Sequence, residues 1–297
     1  MTNCLSDSSF ENLLFVHVRI QEAESIALFD TGAGMTVISR SLLARLGITA
    51  ESAALRAGNN NGLLRTLQTA VLSHVRIGDI CVETLRVLVT GDADFALSDS
   101  SGAAFPAEML LGWDVIARYR WRYSAKDGAL SVSASERDGA PADPDSKQGP
   151  IVFPTYAGRR FKARVDTGHS DSTLSAVWRT RLPDIERHEV EMVGIGSTQC
   201  AATPYVRCLP LRFQEHLIRL RDVDICETLY GQPADVEALL GYDLLEGARL
   251  AAGPDVPPAI APAGSITKPA EKGENMEQTA FEIVRVQAQD AAALLRI

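Results

Sequence analysis

Two triplets have the residue types and spacing to do chemistry together: Asp30-Thr31-Gly32 and Asp166-Thr167-Gly168, 136 residues apart. One such triplet alone is an ordinary turn composition, because Asp and Gly both favour turns. Two carboxylates brought to one place behave differently. A few ångströms apart they cannot both ionise, so they share one proton. The ionised member can then take a proton from a water, while the protonated member polarises the group that the water attacks. The pKa values of such a site belong to the pair and not to either residue singly.

The neighbourhoods of the triplets also match. Each follows an apolar run (Ser25 to Phe29, Phe161 to Val165). With a shift of 136, Ile38 falls on Leu174, Ser39 on Ser175, Arg45 on Arg181 and Leu46 on Leu182. Downstream lie Leu110-Leu111-Gly112-Trp113-Asp114 and Leu239-Leu240-Gly241-Tyr242-Asp243. Gly112 is 82 residues after Asp30, and Gly241 is 75 after Asp166. Two signatures, each occurring twice in the same order, indicate a duplicated lobe. One further match, Asp79-Ile80-Cys81 with Asp224-Ile225-Cys226, is accidental by its position, since the triplets stand at very different distances from their Leu-Leu-Gly partners.

The elements that must carry these residues read as mostly β. Leu14 to Ile20 and Ser25 to Phe29 predict a hairpin delivering Asp30 at its end. Met35 to Ile38 predicts a short strand. Ser39 is placed to cap a helix through Leu42, Leu43 and Leu46, with Gly47 just past its end. Arg56 to Gly62, rich in Gly and Asn, predicts a mobile hairpin tip, and Gly194-Ile195-Gly196-Ser197 stands at the matching place in the second half. Val71 to Ile77 and Leu85 to Val89 are further strands around Gly78-Asp79, and Gly91 to Pro106 reads as a polar loop. A short helix from Trp113 and a hairpin across Asp127-Gly128 close the first half. In the second half a helix is expected from Ser175 to Leu182, stopped by Pro183. The resulting domains are a frayed N-terminus at 1–11, lobes at 12–133 and 150–252, linkers at 134–149 and 253–275, and a tail at 276–297. Two cores of about 120 residues each fit the length. Lobe two lacks a closing hairpin after Gly253, so Phe281 to Gln287, which alternates like a strand, is expected to complete the sheet between the lobes.

Composition sets the outer limits. The net charge of −9 argues against nucleic acid as a partner. No run approaches the ~18 apolar residues of a membrane span, and the N-terminus shows no basic start or apolar stretch. A cytoplasmic monomer without cofactor or metal is the expectation. Five cysteines, without Cys-x-x-Cys spacing, are expected to be reduced and mostly buried. Gly194-x-Gly196 lacks the third glycine of a dinucleotide fingerprint. No Gly-x-Ser-x-Gly or His-Glu-x-x-His supports a serine hydrolase or a zinc peptidase.

The paired signatures resemble the aspartic peptidases over roughly residues 12–250. Each short lobe is similar to a retropepsin protomer, and the joined chain to the pepsin plan at reduced size. The resemblance implies two β lobes related by a pseudo-twofold axis, with a catalytic cleft between them. It implies Asp30 and Asp166 as the catalytic pair, Thr31 and Thr167 as cross-links beneath the carboxylates, and Gly32 and Gly168 as tight turns near the attacking water. Gly112 and Gly241 would let the Asp loops pack without a Cβ. Gly58, Asn59 and Asn60 in one lobe and Gly194 and Gly196 in the other are the flap candidates over an extended peptide or protein substrate, bound as an added strand. Ala33 suits the position after Asp-Thr-Gly, where the family has Ala, Ser or Thr; His169 departs from it and is expected to be partly exposed with no catalytic task. Asp114 and Asp243 are expected to be helix caps, and Trp113 and Tyr242 core aromatics. Neither flap candidate contains a Tyr or Trp. That absence and His169 motivate the alternative of a catalytically weak or inactive peptide-binding module.

Overall fold

The computed structural model describes residues 10–58, 62–98, 102–124, 129–133, 149–194, 197–246, 248–253, 256–262 and 280–281. Alternating burial from Val16 to Ile20 makes β1 (Phe15–Ile20) a strand with one face in the core, and it folds back onto β2 (Ala23–Phe29). β3 (Val37–Ser39) leads into α1 (Arg40–Arg45), where the Ser39 hydroxyl accepts the Leu42 N–H at 3.1 Å. Gly47 follows at φ +68°, the left-handed turn that ends the helix. β4 (Ala54–Gly58), β5 (Leu64–Ile77), β6 (Ile80–Thr90) and β7 (Met109–Leu111) complete a sheet of order β1-β2-β7-β3-β6-β5-β4. A second pairing, Ile20 with Val75 on β5, closes it into a barrel. The segment between β6 and β7 is less polar in place than in sequence, because Phe95 and Phe105 turn inward onto Phe15 and Leu28. α2 (Trp113–Ile116) then leads to the hairpin of β8 (Arg120–Ser124) and β9 (Ala129–Ser133).

The second half repeats this plan. Pro154, which has no N–H to offer a ladder, divides the first strand into β10 (Ile151–Val152) and β11 (Thr155–Tyr156). Their partners are β13 (Ala163–Val165) and β12 (Arg159–Arg160). β14 (Thr173–Ser175), β15 (Glu186–Gly194), β16 (Ser197–Phe213), β17 (His216–Cys226) and β18 (Ala238–Leu240) follow. The sheet order is β10-β13-β18-β14-β17-β16-β11-β12, with β15 paired to the first half of β16. β18 lies parallel to β13 and antiparallel to β14, as β7 does to β2 and β3. α3 (Asp243–Glu246) stands where α2 stands in the first half. Asp224, Ile225 and Cys226 pair with β14, whereas the strand pairing with β3 uses Leu88, Val89 and Thr90; Asp79-Ile80-Cys81 is therefore no counterpart.

β19 (Ala248–Gly253) and β20 (Val256–Pro262) form an antiparallel hairpin. β19 pairs antiparallel with β8, Arg249 opposite Ser124 and Ala252 opposite Trp121. With β21 (Ala280–Phe281) on β9, these strands make a sheet of order β20-β19-β8-β9-β21 that joins the lobes.

Four expectations are corrected by these elements. Residues 256–262 are a strand, not linker, so lobe two has its own closing hairpin. Two residues of the tail do join the interlobe sheet, but at its far edge, beyond β9; Glu282 to Gln287 lie outside the described residues. The second-half helix is a 3-10 turn, Ala176–Thr180, shorter than the sequence suggests. The cores are not separate. One continuous cluster of buried side chains runs from Leu14 through Trp121 and Leu250 to Ile260. Trp121 on β8 meets Phe29 edge-on at 5.5 Å between ring centres. Among the described cysteines, Cys81, Cys208 and Cys226 are unpaired thiols, and none is fully buried. No described helix is long and apolar enough to cross a membrane.

Candidate active site

β2 and β13 deliver the two Asp residues to one place. The Asp30 N–H donates to the Leu111 carbonyl at 3.0 Å, and the Asp166 N–H to the Leu240 carbonyl at 2.9 Å. The ends of β7 and β18 therefore set where the carboxylates emerge. Beneath them the threonines cross over. The Thr31 N–H donates to Thr167 Oγ1 and the Thr167 N–H to Thr31 Oγ1, both at 3.1 Å. Each hydroxyl donates onward across the junction, Thr31 to the Val165 carbonyl at 2.9 Å and Thr167 to the Phe29 carbonyl at 2.6 Å. Both threonines are fully buried, so this double cross-link leaves none of these groups to water.

The glycines are required by contact with the opposite lobe. A Cβ on Gly32 would overlap the Asp166 carboxylate, and a Cβ on Gly168 the Asp30 carboxylate. Each acid thus lies against the other's turn. Gly112 packs on the backbone of Met35 and Thr36, where a Cβ would come within 2.5 Å of the Met35 carbonyl carbon; Gly241 packs likewise on Asp171 and on the carbonyl of His169.

The hydrogen bonds to the two acids differ. Asp30 Oδ1 accepts from the N–H groups of Gly32 at 2.8 Å and Ala33 at 2.9 Å. Asp166 Oδ1 accepts from Gly168 at 3.1 Å, while the His169 N–H goes to the Asp166 backbone carbonyl instead. Burial first, then the neighbouring Asp166 carboxylate, pushes Asp30 up to about 7 against these donors. Such a pair holds a proton well above the ordinary carboxylate range.

A comparison with known families bears on this geometry. Residues 16–115, from β1 through most of α2, match the family described as aspartyl protease. The first lobe belongs to the aspartic peptidase family. The matched stretch contains Asp30, Thr31, Gly32 and Gly112. No curated protein matches the chain.

In this peptidase lobe Gly58 stands at the tip end of the β4–β5 hairpin, and in the second lobe Gly194 stands at the tip end of β15–β16. Asn59, Asn60 and Gly196 lie outside the described residues. His169 is partly exposed, and its Nδ1 donates to the Asp171 carbonyl at 2.6 Å. Its carbonyl does what that of Ala33 does in the first lobe: the Tyr242 N–H donates to the His169 carbonyl, as that of Trp113 does to Ala33.

Asp114 and Asp243 stand in the first turns of α2 and α3, where Asp243 Oδ1 accepts the Leu244 N–H at 2.9 Å, and both also reach beyond their helices. Asp114 Oδ1 accepts from both the N–H and the hydroxyl of Thr36, at 2.9 and 2.8 Å, and Thr36 Oγ1 accepts the Gly112 N–H. Asp243 accepts from Ser172, whose hydroxyl accepts the Gly241 N–H. Each Asp therefore braces the Asp loop of its own lobe through a hydroxyl. Burial raises both, Asp243 to about 6. The signal was present in the sequence: Thr36 and Ser172 are 136 residues apart, the same shift as the dyad.

Arg164 belongs to no motif in the sequence. It lies on β13 two residues before Asp166, is 3% exposed, and reaches into the junction. An arginine in a three-residue strand gives no hint in sequence of facing inward.

Proposed function

We propose that the chain is an aspartic endopeptidase that hydrolyses peptide bonds in extended peptide or protein segments, using a water activated between Asp30 and Asp166. The observation that carries this reading is the reciprocal Thr31–Thr167 cross-link with each carboxylate lying against the opposite lobe's glycine. In the mechanism, the ionised carboxylate of the pair takes a proton from water as it attacks the scissile carbonyl, and the protonated carboxyl donates to the carbonyl oxygen. The tetrahedral intermediate then collapses, its C–N bond breaking as the leaving amine takes a proton from the pair. In this reading the β4–β5 and β15–β16 hairpins would be the walls against which a substrate strand lies.

The test is cleavage of a diverse peptide library with and without a statine-type inhibitor, repeated with Asp30→Asn and Asp166→Asn. Each variant should lose at least ~100-fold in turnover while keeping its fold. Wild-type rates in either variant would overturn the mechanism. Tight peptide binding without inhibitor-sensitive cleavage would point to a binding module instead.

A further inference from the structure

The two strands that lead into the Asp loops differ at one position. Two residues before Asp30 stands Leu28, packed with Phe15 and Phe105. Two residues before Asp166 stands Arg164, equally buried. Its Nη2 donates to the Gly32 carbonyl at 2.8 Å and the Thr31 carbonyl at 3.3 Å, so it grips the opposite lobe's Asp loop from below. Nη1 donates to Gln232 Oε1 at 3.1 Å, and Nε has no partner among the described residues. Gly149 covers it so closely that a Cβ there would stand 2.8 Å from Nε. All of these acceptors are neutral.

We propose that Arg164 is a positioning residue for the dyad: a buried cation that holds the Asp30 loop by its carbonyls and keeps the carboxylate pair singly ionised. A buried charge is costly unless an opposite charge offsets it. The charges that act on Arg164 are those of Asp166 and Asp30, and those that act on Asp30 are Asp166 and Arg164. A pair sharing one proton carries one negative charge, so with Arg164 the site is neutral. The planar guanidinium reaches two carbonyls of one loop and an amide of another, which the single ammonium of lysine is less suited to do.

The inference rests on the dyad acting as proposed above, and the experiment separates the two. It measures kcat/KM against pH on a cleaved library peptide for wild type, Arg164→Met, Arg164→Lys and Asp30→Asn. A cation favours the ionised form of both carboxyls, so its removal raises both pKa values of the pair. Both limbs of the profile should move to higher pH in R164M, by about one pH unit. R164K, which keeps the charge, should restore the limbs to near their wild-type positions. If R164M is folded and its limbs stay in place, Arg164 is packing only and the inference falls. If R164M is unfolded near neutral pH, recovery of its fold at mildly acidic pH supports the charge role, because protonation relieves the pair that lost its cation. Failure to fold at every pH overturns it. An inactive D30N beside unmoved R164M limbs sinks this inference alone, whereas a fully active D30N sinks the dyad reading and this one with it.

Discussion

Asp30 sits where burial and a like charge both oppose its ionisation, and this has a consequence for stability that activity assays would not show. In the unfolded chain it titrates near 3.8, and in the folded protein near 7. Between those values the folded state holds more of the proton, so stability falls as pH rises through that window and levels off above it. Asn at this position carries no charge at any pH. Asp30→Asn is therefore expected to melt progressively higher than wild type as pH increases from about 4 to about 8. Thermal melts across that range check it, and a gap that does not depend on pH would mean that Asp30 is not held protonated. The raised value also carries the alkaline limb of any peptidase activity up toward neutrality, because the shared proton is kept until that pH. The absence of a hydroxyl at Ala33 points the same way, since a donor there would favour the charged form.

At the scale of elements, the threonine cross-link ties together the two loops that follow β2 and β13. Thr167→Val keeps the shape but leaves the Thr31 N–H and the Phe29 carbonyl unpaired in the interior, which should cost about 2–4 kcal/mol. Thr167→Ser should restore most of it; urea unfolding of both variants measures the difference. The Leu-Leu-Gly strands make a second prediction. Gly112→Ala puts a methyl against the Met35 backbone, which cannot move without shifting the Asp30 loop, and a loss of about 3 kcal/mol in the same measurement is expected. These features were legible in sequence because each depends on particular residues at fixed offsets: Asp-Thr-Gly for the turn, Gly112 and Gly241 for close approach. What was not legible depended on partners far away in the chain. The hairpin of β19 and β20 reads as Ala- and Pro-rich linker, yet prolines are tolerated in a strand at a sheet edge, where a missing N–H breaks no ladder. Phe95 and Phe105 sit among polar neighbours that mark a loop, and only the barrel mouth against Phe15 shows why they turn in. Arg164 looks like a solvent-facing residue until the opposite loop supplies its acceptors.

At the scale of the whole molecule, one apolar core passes through the β8–β19 sheet from lobe to lobe. The lobes are therefore expected to unfold together. Calorimetry should give a single transition whose van't Hoff and calorimetric enthalpies agree, and two resolved peaks would show that the shared core is too weak to couple them. Truncation before Ala248 removes the fully buried Leu250 and strips β8 of its neighbour from the second lobe, so it should abolish soluble folding. Among the described residues, truncation after Pro262 removes only the two-residue β21 from the edge, and the melt should be nearly unchanged.

The β8–β19 seam also has a meaning for how this molecule can change. Where a cleft is assembled from two copies of one chain, every substitution arrives on both sides at once, and a residue helpful on one wall must be tolerated on the other. Here the halves are tied by backbone pairing within a single polypeptide, and each position is inherited separately. A cation at 164 need not be mirrored at 28, nor an imidazole at 169 at position 33. The seam thus frees the two walls to diverge, and a substrate read from such a cleft need have no symmetry of its own.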